Sequence, residues 1–178
     1  MPVKVLKALS MYCMSFDFKL LDCPVGWIRT ETACYLLRNK TSIGEGVSND
    51  CESLNSNSMR PVFGTKVHFD HFISMLNENL AITSGEQVIV AGTDIATEGQ
   101  FQMTNQIGEV CQISNKVYGD GAMQRGNSES NDCLVKEAGY NRITAASCSG
   151  TALLVCQIPF FDPCIGMFRC SVAGRQKD

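Results

Sequence analysis

The chain has 178 residues, of which 44% are hydrophobic and 19% charged, and its formal net charge at pH 7 is -3. This length suits one domain with its own core and short extensions. The near-balanced charge, with no stripe of lysine and arginine to follow a phosphate backbone, argues against nucleic acid as a partner. No stretch approaches the roughly 18 apolar residues of a membrane span.

Ten cysteines are the most informative feature of the composition. They do not form CxxC pairs with histidines at zinc-finger spacing, so we predict disulfides, which persist in oxidising compartments. The chain is therefore expected to be secreted and extracellular. Lys4 and Lys7 precede a modest apolar stretch, residues 8–16, that lacks a small-residue cleavage site. Residues 1–22 are interpreted as an N-terminal extension, either a degenerate signal sequence or a truncated or misassigned start.

The first half of the chain predicts a hairpin and two helices. Two apolar runs, residues 22–28 and 33–37, flank a polar connection and predict a β-hairpin with a cysteine on each arm, close enough to bridge. Ser48, Asn49 and Asp50 offer caps for a short helix carrying Cys51. A second helix is predicted over residues 66–79 with Thr65 as its cap, and its core face comprises Val67, Phe69, Phe72, Ile73, Leu76 and Leu80.

The second half centres on four apolar residues, 88–91, followed by Gly92. This pattern predicts a short strand buried on both faces, around which the rest of the fold packs. Residues 102–132 show little strand or helix periodicity and are predicted to be a long loop region, the part of a fold that often carries function. Residues 134–136 and 151–156 are predicted to be closing strands.

Four motifs in order resemble the C-type lectin-like domain family over residues 23–156. They are Cys23-Pro24-Val25-Gly26-Trp27 with Cys34-Tyr35, then Cys51, then residues 88–101, and finally Asp132-Cys133, Cys148 and Leu154-Val155-Cys156. The resemblance is to the long form of the family, and it implies an α+β fold with two helices, short antiparallel sheets and long ligand-facing loops. It also implies the bridges Cys23–Cys34, Cys51–Cys156 and Cys133–Cys148. The predicted domain spans 23–158, followed by a C-terminal extension, 159–178.

The sequence departs from the family pattern at its calcium motifs. In sugar-binding members, one calcium is held by a loop motif such as Glu-Pro-Asn and by a later Trp-Asn-Asp. The first corresponds here to residues 122–124, and the second to residues 143–145 or, with a slipped register, to 140–142. Calcium prefers hard oxygen ligands, carboxylates among them. The first register has no acid, and the second brings Arg142 to the site, so calcium-dependent sugar binding is not the expected activity.

We therefore predict a secreted recognition module without enzymatic activity, which binds a glycan or a protein and needs no calcium or other cofactor. Its ligand surface would comprise residues 102–131 and 140–146. The predicted ligand-binding residues are Tyr118, Asp120, Met123, Gln124, Arg125, Asn127, Glu129, Asn131, Tyr140, Asn141 and Arg142. The alternative is a calcium-dependent lectin whose ion is held by Asp120, Glu129, Asn131 and Asp132. The sequence does not determine the oligomeric state.

Three further features support separate hypotheses. His68 and His71, at i and i+3 of the second helix, could share a metal in a hydrolase, although no HExxH motif is present. Asn39-Lys40-Thr41 is an acceptor sequence for N-glycosylation. Four cysteines remain beyond the three implied bridges: Cys164 and Cys170 could close a small loop, and Cys111 could pair with Cys13 or with another chain.

Overall fold

The computed structural model describes residues 22–44, 50–80, 86–94, 100–104, 110–113, 123–124, 133–137, 140 and 142–160. In these residues one helix and nine strands give the α+β architecture that was predicted. The strands are β1 (Ile28–Arg29), β2 (Ala33–Ser42), β3 (Gln87–Thr93), β4 (Gln102–Thr104), β5 (Val110–Gln112), β6 (Met123–Gln124), β7 (Cys133–Glu137), β8 (Ile143–Ala146) and β9 (Thr151–Pro159), and the helix is α1 (Lys66–Asn79).

The strands form a single sheet in the order β1-β2-β9-β3-β7-β8-β6, and the pair β4–β5 branches from β3. The predicted hairpin is present as β1 and β2, in which Ile28 faces Tyr35 and Arg29 faces Cys34. Most neighbours are antiparallel, as expected, but β3–β9 and β6–β8 are parallel. The long β2–β9 pairing places one of the first strands beside the last described strand.

Helix α1 has the predicted bounds. The Thr65 hydroxyl accepts a hydrogen bond from the His68 N–H, and the Leu80 N–H closes the last turn on the carbonyl of Leu76. Val67 was wrongly assigned to the core face, since it is 57% exposed. At about 100° per residue Val67 lies roughly 160° from Phe69 around the helix. Met75 and His68 are buried at the edges of the apolar face instead.

The first predicted helix, around Cys51, is wrong in the part of it that the structure describes. The N–H groups of Leu54 and Asn55 both donate to the Cys51 carbonyl, and Ser58 then turns back on the Asn55 carbonyl. Two successive turns replace a helix here. Serine and asparagine favour turns because their side chains compete for the backbone hydrogen bonds that a helix needs.

Strand β3 is buried on both faces, as its apolar run predicted. Val88 and Val90 contribute to a cluster under α1 that includes Tyr35 and Phe72, whereas Ile89 belongs to a second cluster on the opposite face of the sheet. Val88 and Ile89 are both 0% exposed. Because the central strand has apolar packing on each side, the sheet serves as the middle layer of the domain.

Three disulfides cross-link this framework: Cys23–Cys34, Cys51–Cys156 and Cys133–Cys148, with Cα–Cα distances of 5.5, 5.3 and 5.3 Å. They are the three bridges that the family resemblance implied. Cys111 is also disulfide-bonded. The other three cysteines whose pairing the sequence left open, Cys13, Cys164 and Cys170, lie outside the described residues. In the part of the chain that is described, no helix is long and apolar enough to cross a membrane.

The region predicted as a long loop contains regular structure. Strands β4, β5 and β6 lie within residues 102–132, and β8 lies within residues 140–146, the second segment of the predicted ligand surface. These strands have two to four residues each, too few for a sequence periodicity to emerge. The proposed boundaries of the N-terminal and C-terminal extensions remain predictions.

Candidate functional site

Four of the eleven predicted ligand-binding residues fall in the described part of the chain: Met123, Gln124, Tyr140 and Arg142. The other seven lie outside the described residues, and they are Tyr118, Asp120, Arg125, Asn127, Glu129, Asn131 and Asn141. The structure places the backbone of Met123 and Gln124 close to the chain segment that holds Tyr140 and Arg142, as the strand pairings below show.

The site forms where β7 ends and β8 begins. The two strands are antiparallel neighbours, with Lys136 opposite Ile143, and the Tyr140 N–H donates to the Glu137 carbonyl at 3.4 Å. On the other side of β8, the short strand β6 runs parallel to it, with Met123 opposite Ile143. One end of the sheet therefore gathers segments that are about 20 residues apart in the sequence.

Arg142 is held between a carboxylate and an aromatic ring. One of its terminal nitrogens, Nη2, donates to Glu137 Oε2 at 3.0 Å, and its guanidinium carbon lies 4.5 Å from the centroid of the Tyr140 ring. The Arg142 and Glu137 side chains are 32% and 29% exposed, whereas Tyr140 is 54% exposed. Partial burial strengthens both contacts relative to a fully solvated pair.

Glu137 was not among the predicted site residues. It lies five positions before Arg142, and the signal that could have found it is the β7–β8 antiparallel pairing, which brings these two positions together across the turn.

Lys136 precedes Glu137 but projects to the other face of the sheet, beside its cross-strand partner Ile143 in the cluster under α1. Burial lowers the pKa of Lys136, and the neighbouring Glu137 carboxylate opposes that shift.

The first register considered for the later calcium motif falls on β8. Ile143 is fully buried, and Thr144 and Ala145 are half-buried. These three side chains offer a single hydroxyl oxygen and no carboxylate. In the alternative register the described residues are Tyr140 and Arg142, and Arg142 brings a positive charge to the position. The four acids and amides of the calcium-dependent alternative, Asp120, Glu129, Asn131 and Asp132, lie outside the described residues.

His68 and His71, the pair considered for a metal hydrolase, lie at the other edge of the sheet. His68 is buried, and its pKa is lowered by burial and then by the charge of His71. His71 Nε2 lies 3.8 Å from Glu31 Oε2, beside a cleft of about 220 Å³ between the β1–β2 hairpin and α1. Among the described residues, no three His, Cys, Asp or Glu side chains come together as a metal site.

No protein-family model matches this sequence, and no curated protein matches it. Solved structures do match. The C-type lectin CEL-I of Cucumaria echinata has a TM-score of 0.61 and 17% identity, over 76% of this chain and 96% of its own. The C-type lectin domain of murine dendritic cell inhibitory receptor 2, solved with an N-glycan, has a TM-score of 0.59 and 16% identity, over 78% and 99%.

A third match is a calcium-independent type II antifreeze protein, with a TM-score of 0.56 and 13% identity over 78% of this chain and 95% of its own. This chain thus spans nearly the full length of each of the three matched structures. At these identities the comparison concerns the fold, and the function has to be argued from the residues of the site.

Proposed function

We propose that this chain, whose fold is that of the C-type lectin-like domain, is a secreted recognition module that binds a glycan or a protein without calcium. Binding would take place at the end of the sheet where β6, β7 and β8 meet. The observation that carries the proposal is the arrangement of Glu137, Arg142 and Tyr140. The module would act by binding alone, with no chemical step.

The arrangement suits recognition because it combines an accessible aromatic ring with fixed hydrogen-bond donors. Tyrosine and arginine are the residue types that most often dominate binding energy at interfaces. Arg142 is already oriented by Glu137 and by the Tyr140 ring, so binding would cost less side-chain entropy than it would with a mobile arginine. A sugar presents hydroxyls for the guanidinium and C–H groups for the ring, and a protein loop presents carbonyl oxygens for the same donors.

Two observations support independence from calcium. The β8 residues Ile143, Thr144 and Ala145 carry no carboxylate, and the nearby Glu137 carboxylate is already paired with Arg142. One of the matched structures is described as a calcium-independent protein, so the fold is compatible with that property. The alternative remains a calcium-dependent lectin, and one of the matched structures is named a C-type lectin.

The secreted location is supported by the disulfides. Three bridges are formed among the described residues, and cysteines pair durably only in an oxidising compartment. The matched murine domain was solved with an N-glycan, which favours a glycan over a protein as the first ligand class to test.

The test is a glycan-array screen of the oxidised protein, in calcium and again in EDTA, followed by titration of the best glycan. We expect binding that EDTA does not weaken. Tyr140→Ala and Arg142→Ala should each weaken it by about 30-fold, the equivalent of about 2 kcal/mol for a central interface residue. Val25→Ala is the matched control, since Val25 is fully exposed at the other edge of the sheet and should leave the affinity unchanged.

Each other outcome has a definite meaning. Affinity that survives both site substitutions would refute the site. Affinity lost in EDTA, together with a melting temperature raised by millimolar calcium, would establish the calcium-dependent alternative, because an ion that binds only the native state must stabilise it. An array without any binder would exclude the glycans tested, and a screen of extracellular protein domains with the same three variants would follow.

A further inference from the structure

The sequence contains a single Asn-Xaa-Ser/Thr acceptor, Asn39-Lys40-Thr41. The residue between the asparagine and the threonine is lysine, so the motif has no proline that would block it. The proposed recognition site makes no use of this motif, which lies in β2, four strands away from β8 in the order of the sheet.

Asn39 occupies an irregular and accessible part of β2. The β2–β9 register shifts between Leu37 and Lys40, and Arg38, Asn39 and Lys40 are exposed in succession. A regular strand would turn alternate side chains toward opposite faces, so three exposed residues in a row identify a bulge. The Asn39 side chain makes no hydrogen bond to the described residues, whereas Lys40 is paired with Glu86 at 2.9 Å.

This part of β2 also has an open edge. Strand β1 covers β2 only at Cys34 and Tyr35, and no other described strand pairs with the β2 edge opposite β9. Unpaired strand edges can recruit further strands, and proteins commonly protect them with bulges, charges or a covering group. The bulge and the charges of Arg38 and Lys40 are present here, and a glycan would complete that protection.

We propose that Asn39 is N-glycosylated. The proposal rests on the secreted location proposed above, because the modification takes place in the lumen of the secretory pathway. The co-reactant is an oligosaccharide linked to a polyprenyl diphosphate. The Asn39 amide nitrogen forms a bond to the anomeric carbon of that sugar, the bond from that carbon to the diphosphate oxygen breaks, the lipid diphosphate departs, and the amide loses one proton.

The glycan would leave the recognition site accessible. Strands β9, β3 and β7 separate β2 from β8. At roughly 4.8 Å per strand, Asn39 lies about 19 Å from the β8 edge along the sheet. The modification would therefore cover the β2 edge without covering Tyr140 or Arg142, and the two properties can be tested separately.

The experiment expresses the full chain behind a cleavable secretory leader in a mammalian cell line. Chains whose leader has been removed, from lysate and medium together, are treated with peptide N-glycosidase F and their peptides analysed by mass spectrometry. We expect a mobility shift on treatment and conversion of Asn39 to aspartate. Asn39→Gln and Thr41→Ala should abolish both signals, whereas the matched variant Thr41→Ser, which preserves the acceptor motif, should retain them.

An unmodified Asn39 in leader-cleaved chains would overturn the proposal, because those chains have entered the lumen. Glycan binding measured on the Asn39→Gln protein separates this inference from the proposed function. We expect unchanged affinity, and a tenfold or greater loss would contradict the remote position assigned to the modification.

Discussion

Removing the disulfide that closes the longest loop should destabilise the domain more than removing a short-range one. Cys51 and Cys156 are 105 residues apart, and Cys133 and Cys148 are 15 apart. By the chain-entropy relation, the first bridge restricts the unfolded chain by about 4.7 kcal/mol and the second by about 3 kcal/mol. Both cysteines of the longer bridge are also fully buried, so alanine at these positions leaves a void that adds about 1 kcal/mol.

The assay is urea unfolding of two variants, one with Cys51 and Cys156 replaced by alanine and the other with Cys133 and Cys148 replaced. Trp27 is the only tryptophan and packs against the cluster that contains Cys51 and Cys156, which makes its fluorescence a suitable probe. We expect the first variant to be less stable than the second by about 2.7 kcal/mol, of which loop length accounts for about 1.7 kcal/mol. Equal losses in the two variants, with the other bridges verified as intact, would refute the reasoning from loop length.

Three further predictions test the interior, and one of them uses an exposed glycine as its control. Tyr35→Phe should cost about 1–2 kcal/mol at pH 7, because the Gln157 amide loses its acceptor at 3.1 Å. Burial raises the pKa of Tyr35. Above about pH 10 only the tyrosine of the unfolded chain ionises, so the stability of the wild-type protein should fall as the pH rises. Urea unfolding at several pH values should show this decline in the wild type and not in the variant. Gly92→Ala should lower the free energy of unfolding by about 2–4 kcal/mol, because the backbone φ is 137° and the new Cβ would lie 2.5 Å from a neighbouring side chain. Gly26→Ala should lower it by only about 1–2 kcal/mol in the same measurement, because Gly26 has φ 84° but open space around it. Lys136→Met should raise the free energy of unfolding by about 1 kcal/mol at pH 7, because it removes a buried ammonium group. The gain should shrink as the pH approaches about 10.4, the pKa of lysine in the unfolded chain. A gain that is independent of pH would contradict the lowered pKa of Lys136.

The fold could be predicted wherever a local pattern had a single physical solution. The apolar run of β3, the Thr65 cap and the spacing of Phe69, Phe72 and Leu76 each favour one structure, and the structure contains all of them. The short strands were missed because two to four residues are too few to show alternation. They exist because neighbouring strands supply their hydrogen bonds, which is tertiary information.

The candidate site could be predicted only in part. Tyr140 and Arg142 were selected because they occupy the later calcium motif in its slipped register, and their role in binding stays a prediction. Glu137 was missed because its importance depends on the register of β7 against β8, which no property of the residue itself reveals. A cross-strand contact of this kind becomes visible only when both strands and their turn are known.

The same three residues would hold the proposed binding surface in place without a calcium ion. In a calcium site the metal orders the loop, because it gathers several oxygens around one centre. Here the cation belongs to the protein: Arg142 joins the Glu137 carboxylate and the Tyr140 ring across the turn between two strands. A covalently attached cation cannot be removed by a chelator, and its contacts with Glu137 and Tyr140 need no calcium ion. The arrangement is therefore expected to keep its shape in EDTA, which is the condition under which the proposed recognition should still operate.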